Sequence, residues 1–135
     1  MDDTLKALND CYRHELTLLV RYLNYSTQVA GFDRLHLVDL FKKNAGDCMA
    51  HAEKVGAKIV ALGGAPQGKI GEDLAVPHGA RKMLEQALKD EEAAVALYVE
   101  AVAVAKKDLA LRETLVHILK EEQAGVDELK LLLRE

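Results

Sequence analysis

Apolar residues recur along this chain at spacings of three and four, the pattern of helices that bury one face, in four separate stretches. The first stretch runs from Thr4 until Gly31 interrupts it, and Asp2, Asp3 and Thr4 are candidate capping residues. The second stretch stops at a Gly-Gly-Ala-Pro run, residues 63–66, as the C-terminus of a helix often does. Both stretches therefore predict long helices with one apolar face.

The second half of the chain predicts two further helices, over about 79–105 and about 108–134. Residues 65–77 between the halves hold both prolines of the chain, which favours an extended connection over a fifth element. Short, long and short connections predict an all-α four-helix bundle with one long crossover, between the second and third helices. Neither helix pair alone could bury its apolar face, so we expect residues 1–135 to form a single domain.

The composition narrows the class of protein. Half of the residues are hydrophobic but only 4% are aromatic, a balance that favours packed helices. The net charge of −4 is spread over mixed signs without a basic stripe, so nucleic acid is not an expected partner. The N-terminus lacks the blocks of a secretory signal, and no apolar run reaches the roughly 18 residues of a membrane span. We therefore expect a cytoplasmic protein without membrane association, its two cysteines reduced.

Each predicted helix carries a potential metal-binding side chain on its apolar face. The candidate ligands are Glu15 on the first helix, Cys48 and His51 on the second, Glu91 on the third and Glu122 on the fourth. An ionised carboxylate in a core is costly unless it is paired or coordinated, so this shared orientation predicts a metal site. Taken singly, each Glu is more simply explained by partial exposure near a bundle end, and Cys48 by packing as a small buried hydrophobe.

The other cysteine and histidines have simpler interpretations. Cys11, one turn before Glu15, is interpreted as a packing residue. We expect no disulfide between Cys11 and Cys48, because antiparallel helices with Glu15 level with His51 place the two thiols in different layers. The remaining histidines have no partner at metal-ligand spacing and are predicted at the surface or its boundary: His14, His36, His78 and His117.

Four segments carry motifs beyond this helical pattern. They are His14-Glu15-Leu16 leading to Tyr22, Asp47-Cys48-Met49-Ala50-His51-Ala52, Leu62-Gly63-Gly64-Ala65-Pro66 with Ile70-Gly71-Glu72, and Ile118-Leu119-Lys120-Glu121-Glu122. Together these segments resemble the bacterioferritin family over nearly the whole chain. The resemblance implies a ferritin-like four-helix bundle, in which Glu15, His51, Glu91 and Glu122 correspond to ligands of a two-metal centre.

The chain departs from the family pattern at two positions. The family sequence Asp-Glu-Met-x-His-Ala has a bridging Glu where this chain has Cys48, and the family sequence Glu-Glu-x-His ends here in Gly125. Two of six expected ligands are therefore replaced. Glu15, His51 and Glu122, with or without Cys48, would form one site, whereas only Glu91 and a shared Glu122 remain for a second metal.

The resemblance implies a function as well as a fold. Family members oxidise Fe(II) with oxygen or peroxide at the two-metal centre and store the ferric mineral. For this chain we predict a single-metal or weakened site with slow or absent ferroxidase activity, in a protein of iron storage or detoxification. A mixed set of thiolate, imidazole and carboxylate would suit zinc or copper as well as iron.

Met49 and the first helix bear on assembly. The resemblance implies haem b held at a two-fold interface by Met49 of each subunit; the alternative is that Met49 packs in that interface without haem. The first helix is apolar nearly all round between Leu16 and Leu23, which predicts at least a dimer. Family shells carry a short fifth helix, whereas this sequence ends at residue 135, so dimer and cage both stay open. The second functional hypothesis is a non-catalytic protein whose interface binds haem or serves assembly.

Overall fold

The computed structural model of the chain describes residues 2–134 and the side chains of residues 3–134. It contains four long α-helices: α1 over Asp2–Gln28, α2 over Arg34–Ala61, α3 over Ala80–Ala105 and α4 over Leu109–Leu133. These bounds confirm the predicted all-α architecture. The capping prediction is wrong for Asp3 and Thr4, because both lie inside α1; the Thr4 hydroxyl donates to the backbone carbonyl of Val104 at 3.3 Å. The side chain of Asp2 lies outside the described residues.

Local sequence accounts for the ends of the helices. The turn after α1 contains Gly31 at φ +95°, and the turn after α2 contains Gly63 at φ +88°, a backbone conformation that glycine adopts without a steric penalty. The Gly63 amide donates to the carbonyl of Val60 at 3.0 Å, which satisfies part of the free end of α2. At the start of α4 the Asp108 carboxylate accepts from the Leu111 amide at 3.1 Å.

The crossover between α2 and α3 runs in an extended conformation along α1, as the sequence predicts. Backbone amides of the crossover donate to two α1 side chains, from Gln67 to Asn9 Oδ1 at 2.9 Å and from Gly71 to Thr17 Oγ1 at 2.8 Å. Gly64 lies so close to α1 that an added Cβ would be 2.8 Å from the Leu5 side chain. The crossover is therefore fixed to one helix over most of its length.

The helices do not pack equally on all sides. α1 packs closely against α2 and α3, and α3 packs against α4, whereas α2 and α4 approach each other at few points. Two apolar clusters lie toward the two ends of the bundle. One includes Tyr22, Tyr25, Phe41 and Leu129, and the other includes Leu8, Ile59, Leu115 and Ile118. Buried polar side chains lie between these clusters. Within residues 2–134, no helix is long and apolar enough to cross a membrane.

Candidate metal centre

Three ligand-type side chains from three helices converge in the middle of the bundle. The Nδ1 atom of His51 on α2 lies 2.9 Å from Glu122 Oε1 on α4 and 3.2 Å from Glu15 Oε2 on α1. One ligand atom from each of these residues lies within 4.8 Å of the other two, and all three side chains are buried. The structure therefore assembles two carboxylates and one imidazole around a single point.

Each of the three side chains occupies the buried face of its helix. Glu15 lies between the buried residues Cys11 and Leu18, and Glu122 lies between Ile118 and Val126. Side chains three and four residues apart share one face of a helix, so these positions point inward regardless of their polarity. The apolar face that folds the bundle also carries the polar groups into its core.

His51 is held in its charged form by its two acidic neighbours. Burial alone would lower the pKa of the imidazole, but the hydrogen bonds and charges of Glu122 and Glu15 raise the pKa of His51 to about 10. The side chain of His51 is therefore a cation at neutral pH and balances the buried carboxylates. A metal ion that binds at Nδ1 has to displace this proton.

Glu91 and Glu122 form a second pair, in which burial raises the pKa of both carboxyl groups. Burial, and then the hydrogen bond and the charge of Glu122, raise the pKa of Glu91 to about 9. Burial likewise raises the pKa of Glu122. Glu91 is consequently a neutral carboxylic acid at pH 7, close to Glu122 but without an imidazole of its own.

Two tyrosines hold the isolated glutamates through reciprocal hydrogen bonds. The Tyr98 hydroxyl on α3 donates to Glu15 Oε2 at 2.6 Å, and the Tyr22 hydroxyl on α1 donates to Glu91 Oε1 at 2.7 Å. Neither role was predicted from the sequence. A signal was present, because each tyrosine follows the glutamate of its own helix by seven residues and therefore lies on the same face.

The other nitrogen of His51 faces a carboxylate nearer the surface. His51 Nε2 lies 3.4 Å from Glu121 Oε1, and His117 Nε2 lies 3.3 Å from the same oxygen. A carboxylate on the second nitrogen fixes the orientation of a ligating imidazole. Sequence analysis did not assign this role to Glu121, although its place beside Glu122 was visible. The predicted surface positions of His36, His78 and His117 are confirmed, and His14 lies at the boundary.

Cys48 is buried next to the three converging residues. Burial and the charges of Glu15, Glu91 and Glu122 raise the pKa of Cys48, so the group is a thiol and not a thiolate. Cys11 is also a free, buried cysteine, and burial raises its pKa. Cys48 is therefore a polarisable neighbour of the three residues, without a negative charge.

Met49 lies on the opposite side of α2. Its side chain is 55% exposed, compared with 3% for the adjacent Cys48. Met49 therefore points away from the bundle axis. Leu23 of α1 is also exposed, although Leu18 of the same apolar run is buried.

A cavity of about 480 Å³ reaches the site between α2 and α4, the two neighbouring helices that approach each other at few points. Its inner wall includes Cys48, His51, Glu91, Glu122 and Gly125. A Cβ placed on Gly125 would lie 3.4 Å from Glu91 Oε2. A side chain at this position would therefore lie directly beside that carboxyl group. The two positions that depart from the bacterioferritin pattern both line this cavity.

The three converging residues fit a divalent transition metal. Glu15 Oε1 is buried and has no hydrogen-bond partner among the residues described, an arrangement that costs about 1–3 kcal/mol in general. A metal ion would use that free oxygen and neutralise the two carboxylates. An imidazole with two carboxylates is a donor set that suits iron, manganese and zinc.

Comparison with known proteins agrees with this geometry. The family model for the ferritin-like domain matches residues 5–135, so the chain belongs to the ferritin-like domain family. A structure of ferritin-like, diiron-carboxylate proteins from Bacillus anthracis str. Ames superposes with a TM-score of 0.89 at 26% identity, covering 98% of this chain and 96% of that one.

A second similar structure is that of Rhodobacter capsulatus bacterioferritin at 2.6 Å resolution. It is described with a metal-free dinuclear site and a haem iron in a crystallographic special position. Its TM-score is 0.87 at 24% identity, over 98% of this chain and 84% of that one. No curated protein matches the chain in sequence. The ferritin-like bundle predicted from the sequence is therefore confirmed.

Proposed function

We propose that this protein is a bacterioferritin-like iron-binding protein that takes up one Fe(II) per chain at Glu15, His51 and Glu122, for iron storage or detoxification. The observation that carries this proposal is the convergence of the three ligand atoms within 4.8 Å. Similarity to a diiron-carboxylate protein supports iron as the metal. Iron is here the substrate of the protein.

A single metal is favoured because the two sides of the centre are unequal. Around Glu15 there are an imidazole, a tyrosine donor and a free carboxylate oxygen. Around Glu91 there is a tyrosine donor, but Gly125 supplies no ligand and Cys48 no bridging carboxylate. A two-metal oxidation needs two ions clamped roughly 3.5–4 Å apart. We therefore expect ferroxidase activity to be slow or absent.

Anaerobic titration with Fe(II) tests this proposal. The expected result is one tightly bound iron per chain, with tight binding lost in Glu15→Gln and retained in Glu92→Gln, which changes an exposed carboxylate on α3. Two tight irons per chain would contradict the single-metal site. No tight iron at any pH between 6 and 9 would contradict iron binding altogether.

A second candidate function rests on Met49. Its exposed thioether, with the exposed Leu23 on α1, supports an interface between two copies of the chain in which Met49 holds haem b. Reconstitution with haem should then produce a Soret band that Met49→Leu abolishes and Met83→Leu, a buried control, leaves in place. A dimer that persists without a Soret band would leave assembly as the role of this face.

Assembly and location follow from the same proposal. We expect the chain to form at least a dimer in the cytoplasm, and a cage is the larger alternative. Sedimentation of the freshly isolated protein distinguishes them by mass. A monomer at micromolar concentration would contradict both.

A further inference from the structure

Gly125 stands where the bacterioferritin pattern has a histidine ligand, and the space for that side chain is open. Gly125 lies one turn after Glu122 on the same face of α4, where a side chain would project toward Glu91. The neighbouring helices have not closed over it, because the cavity of about 480 Å³ includes Gly125 in its wall. A cavity of that volume has room for a small ring as well as a metal ion.

The lining of the cavity favours neutral or cationic molecules over anions. Asp47, Glu121 and Glu128 stand toward the exposed side, and Glu91 and Glu122 stand at the buried end. Two basic residues line the cavity, and both are paired with carboxylates: the Lys43 ammonium lies 2.9 Å from Asp47, and His51 Nδ1 lies 2.9 Å from Glu122 and 3.2 Å from Glu15. An anionic ligand would meet several carboxylates, whereas a nitrogen base meets acceptors.

We propose that this cavity binds a small nitrogen base of the imidazole class, which takes the place of the side chain missing at Gly125 and completes a second metal position with Glu91 and Glu122. The inference rests on the proposed function, since it assumes that Glu122 already belongs to a filled first position. It goes further, because it makes the number of metals per chain depend on an external ligand. Tyr22 holds Glu91 through its Oε1 atom, while Glu91 Oε2 lies nearest the space beside Gly125.

The test measures Co²⁺ bound per chain by equilibrium dialysis at pH 8, with and without imidazole, in four proteins. These are the unaltered chain, Gly125→His, Gly125→Leu and Gly46→His. Gly46 is a matched control, since it lies on α2 in open space and is exposed. Each change replaces a helical glycine with a residue of higher helix propensity, so loss of folding is not expected.

The expected result is a second Co²⁺ in the unaltered chain and in Gly46→His only when imidazole is present. Gly125→His should bind the second ion without imidazole, and Gly125→Leu should bind a single ion under both conditions. A Co²⁺ absorption band that changes on adding imidazole to the unaltered chain, but not to Gly125→Leu, gives a second readout.

Two outcomes separate failure of the inference from failure of the proposed function. If the unaltered chain stays at one ion with imidazole while Gly125→His binds two, the cavity does not accept the external base, and the single-metal site stands. If the unaltered chain binds no ion, or two ions without imidazole, the proposed single-metal site itself is wrong. A second ion in Gly125→Leu with imidazole would also overturn the assignment to this cavity.

Discussion

The first half of the bundle, α1 and α2, and the second half, α3 and α4, carry similar patterns of buried polar residues but differ at one ligand-type position. In α1 and in α3 a buried glutamate is followed seven residues later by a tyrosine, and each tyrosine donates to the glutamate of the other half. In α2 the ligand-type residue His51 lies one turn after Cys48. The corresponding position in α4, one turn after Glu122, is Gly125, which has no side chain to offer.

This difference shows how one missing side chain changes both charge and space. His51 balances Glu15 and Glu122 as a cation, so that side of the centre is paired even without a metal. Glu91 has no such partner and stays protonated, since burial and Glu122 raise its pKa to about 9. The half with histidine brings three ligand-type groups together, whereas the half with glycine is a cavity beside a neutral acid.

The largest expected effect is the removal of the histidine. His51→Ala should weaken metal binding by more than about 100-fold, because it removes one of three ligands, whereas loss of a surrounding partner alone typically costs 10–100-fold. Competition against a chromophoric chelator measures the affinity. His78→Ala, which changes an exposed histidine of the crossover, should leave it unaltered. Equal losses in both variants would remove the distinction between the halves.

Supplying the two absent ligands should produce the next largest change, in the number of bound Fe(II) ions and in their oxidation rate. Cys48→Glu combined with Gly125→His supplies the two absent ligand types, and we expect two Fe(II) per chain and an oxidation rate raised by roughly tenfold or more. The extra buried carboxylate should also destabilise the metal-free protein. Stopped-flow absorbance after mixing with oxygen gives the rate. If the double variant oxidises iron no faster than the unaltered chain, these two positions are not what limits the site.

The tyrosine hydrogen bonds should differ in their effect on the metal. Tyr98→Phe removes the donor to Glu15 and should weaken binding of the first metal by about tenfold, since groups that orient ligands contribute 10–100-fold. Tyr22→Phe removes the donor to Glu91 and should leave that affinity within about twofold, although both variants lose a buried hydrogen bond of about 1 kcal/mol. Calorimetric titration compares them, and a reversed order would assign the first metal to Glu91.

The pH dependence of stability tests the two halves in the absence of a metal. Folding raises the pKa of Glu91 to about 9 and of His51 to about 10, so the stability each contributes is full below its ordinary pKa and is lost as the pH rises through the folded value. Between pH 5 and 9 the metal-free protein should therefore lose up to about 1.4 kcal/mol of unfolding free energy per pH unit and group.

Glu91→Gln isolates one of these contributions. The amide keeps an acceptor for Tyr22 but does not titrate, so urea unfolding should show a shallower loss of stability with pH than in the unaltered chain or in Glu92→Gln. Metal affinity should rise with pH in the unaltered chain, because the metal displaces the proton of His51. A metal-free stability that increases from pH 6 to 9 would contradict the assigned protonation states.

Local sequence patterns were sufficient for the helices and for the identity of the inward polar residues. Glu15, Glu91 and Glu122 stand in register with apolar neighbours three and four residues away, so their burial follows from helical geometry alone. The crossover was equally clear, because prolines and glycines mark it. The misassigned caps at Asp3 and Thr4 show the weaker point, which is the boundary of a helix near a chain end.

Helical periodicity and the prolines of residues 65–77 are thus enough to predict four amphipathic helices, one long crossover, and a set of ligand-type groups on the buried faces. Which of these groups come into contact depends on how the helices pack. The Tyr98–Glu15 and Tyr22–Glu91 bonds join residues 83 and 69 positions apart, and they depend on the axial shift and rotation of one helix against another. Packing of whole apolar faces sets those quantities, and it also keeps α2 and α4 far enough apart for Gly125 to leave an open cavity.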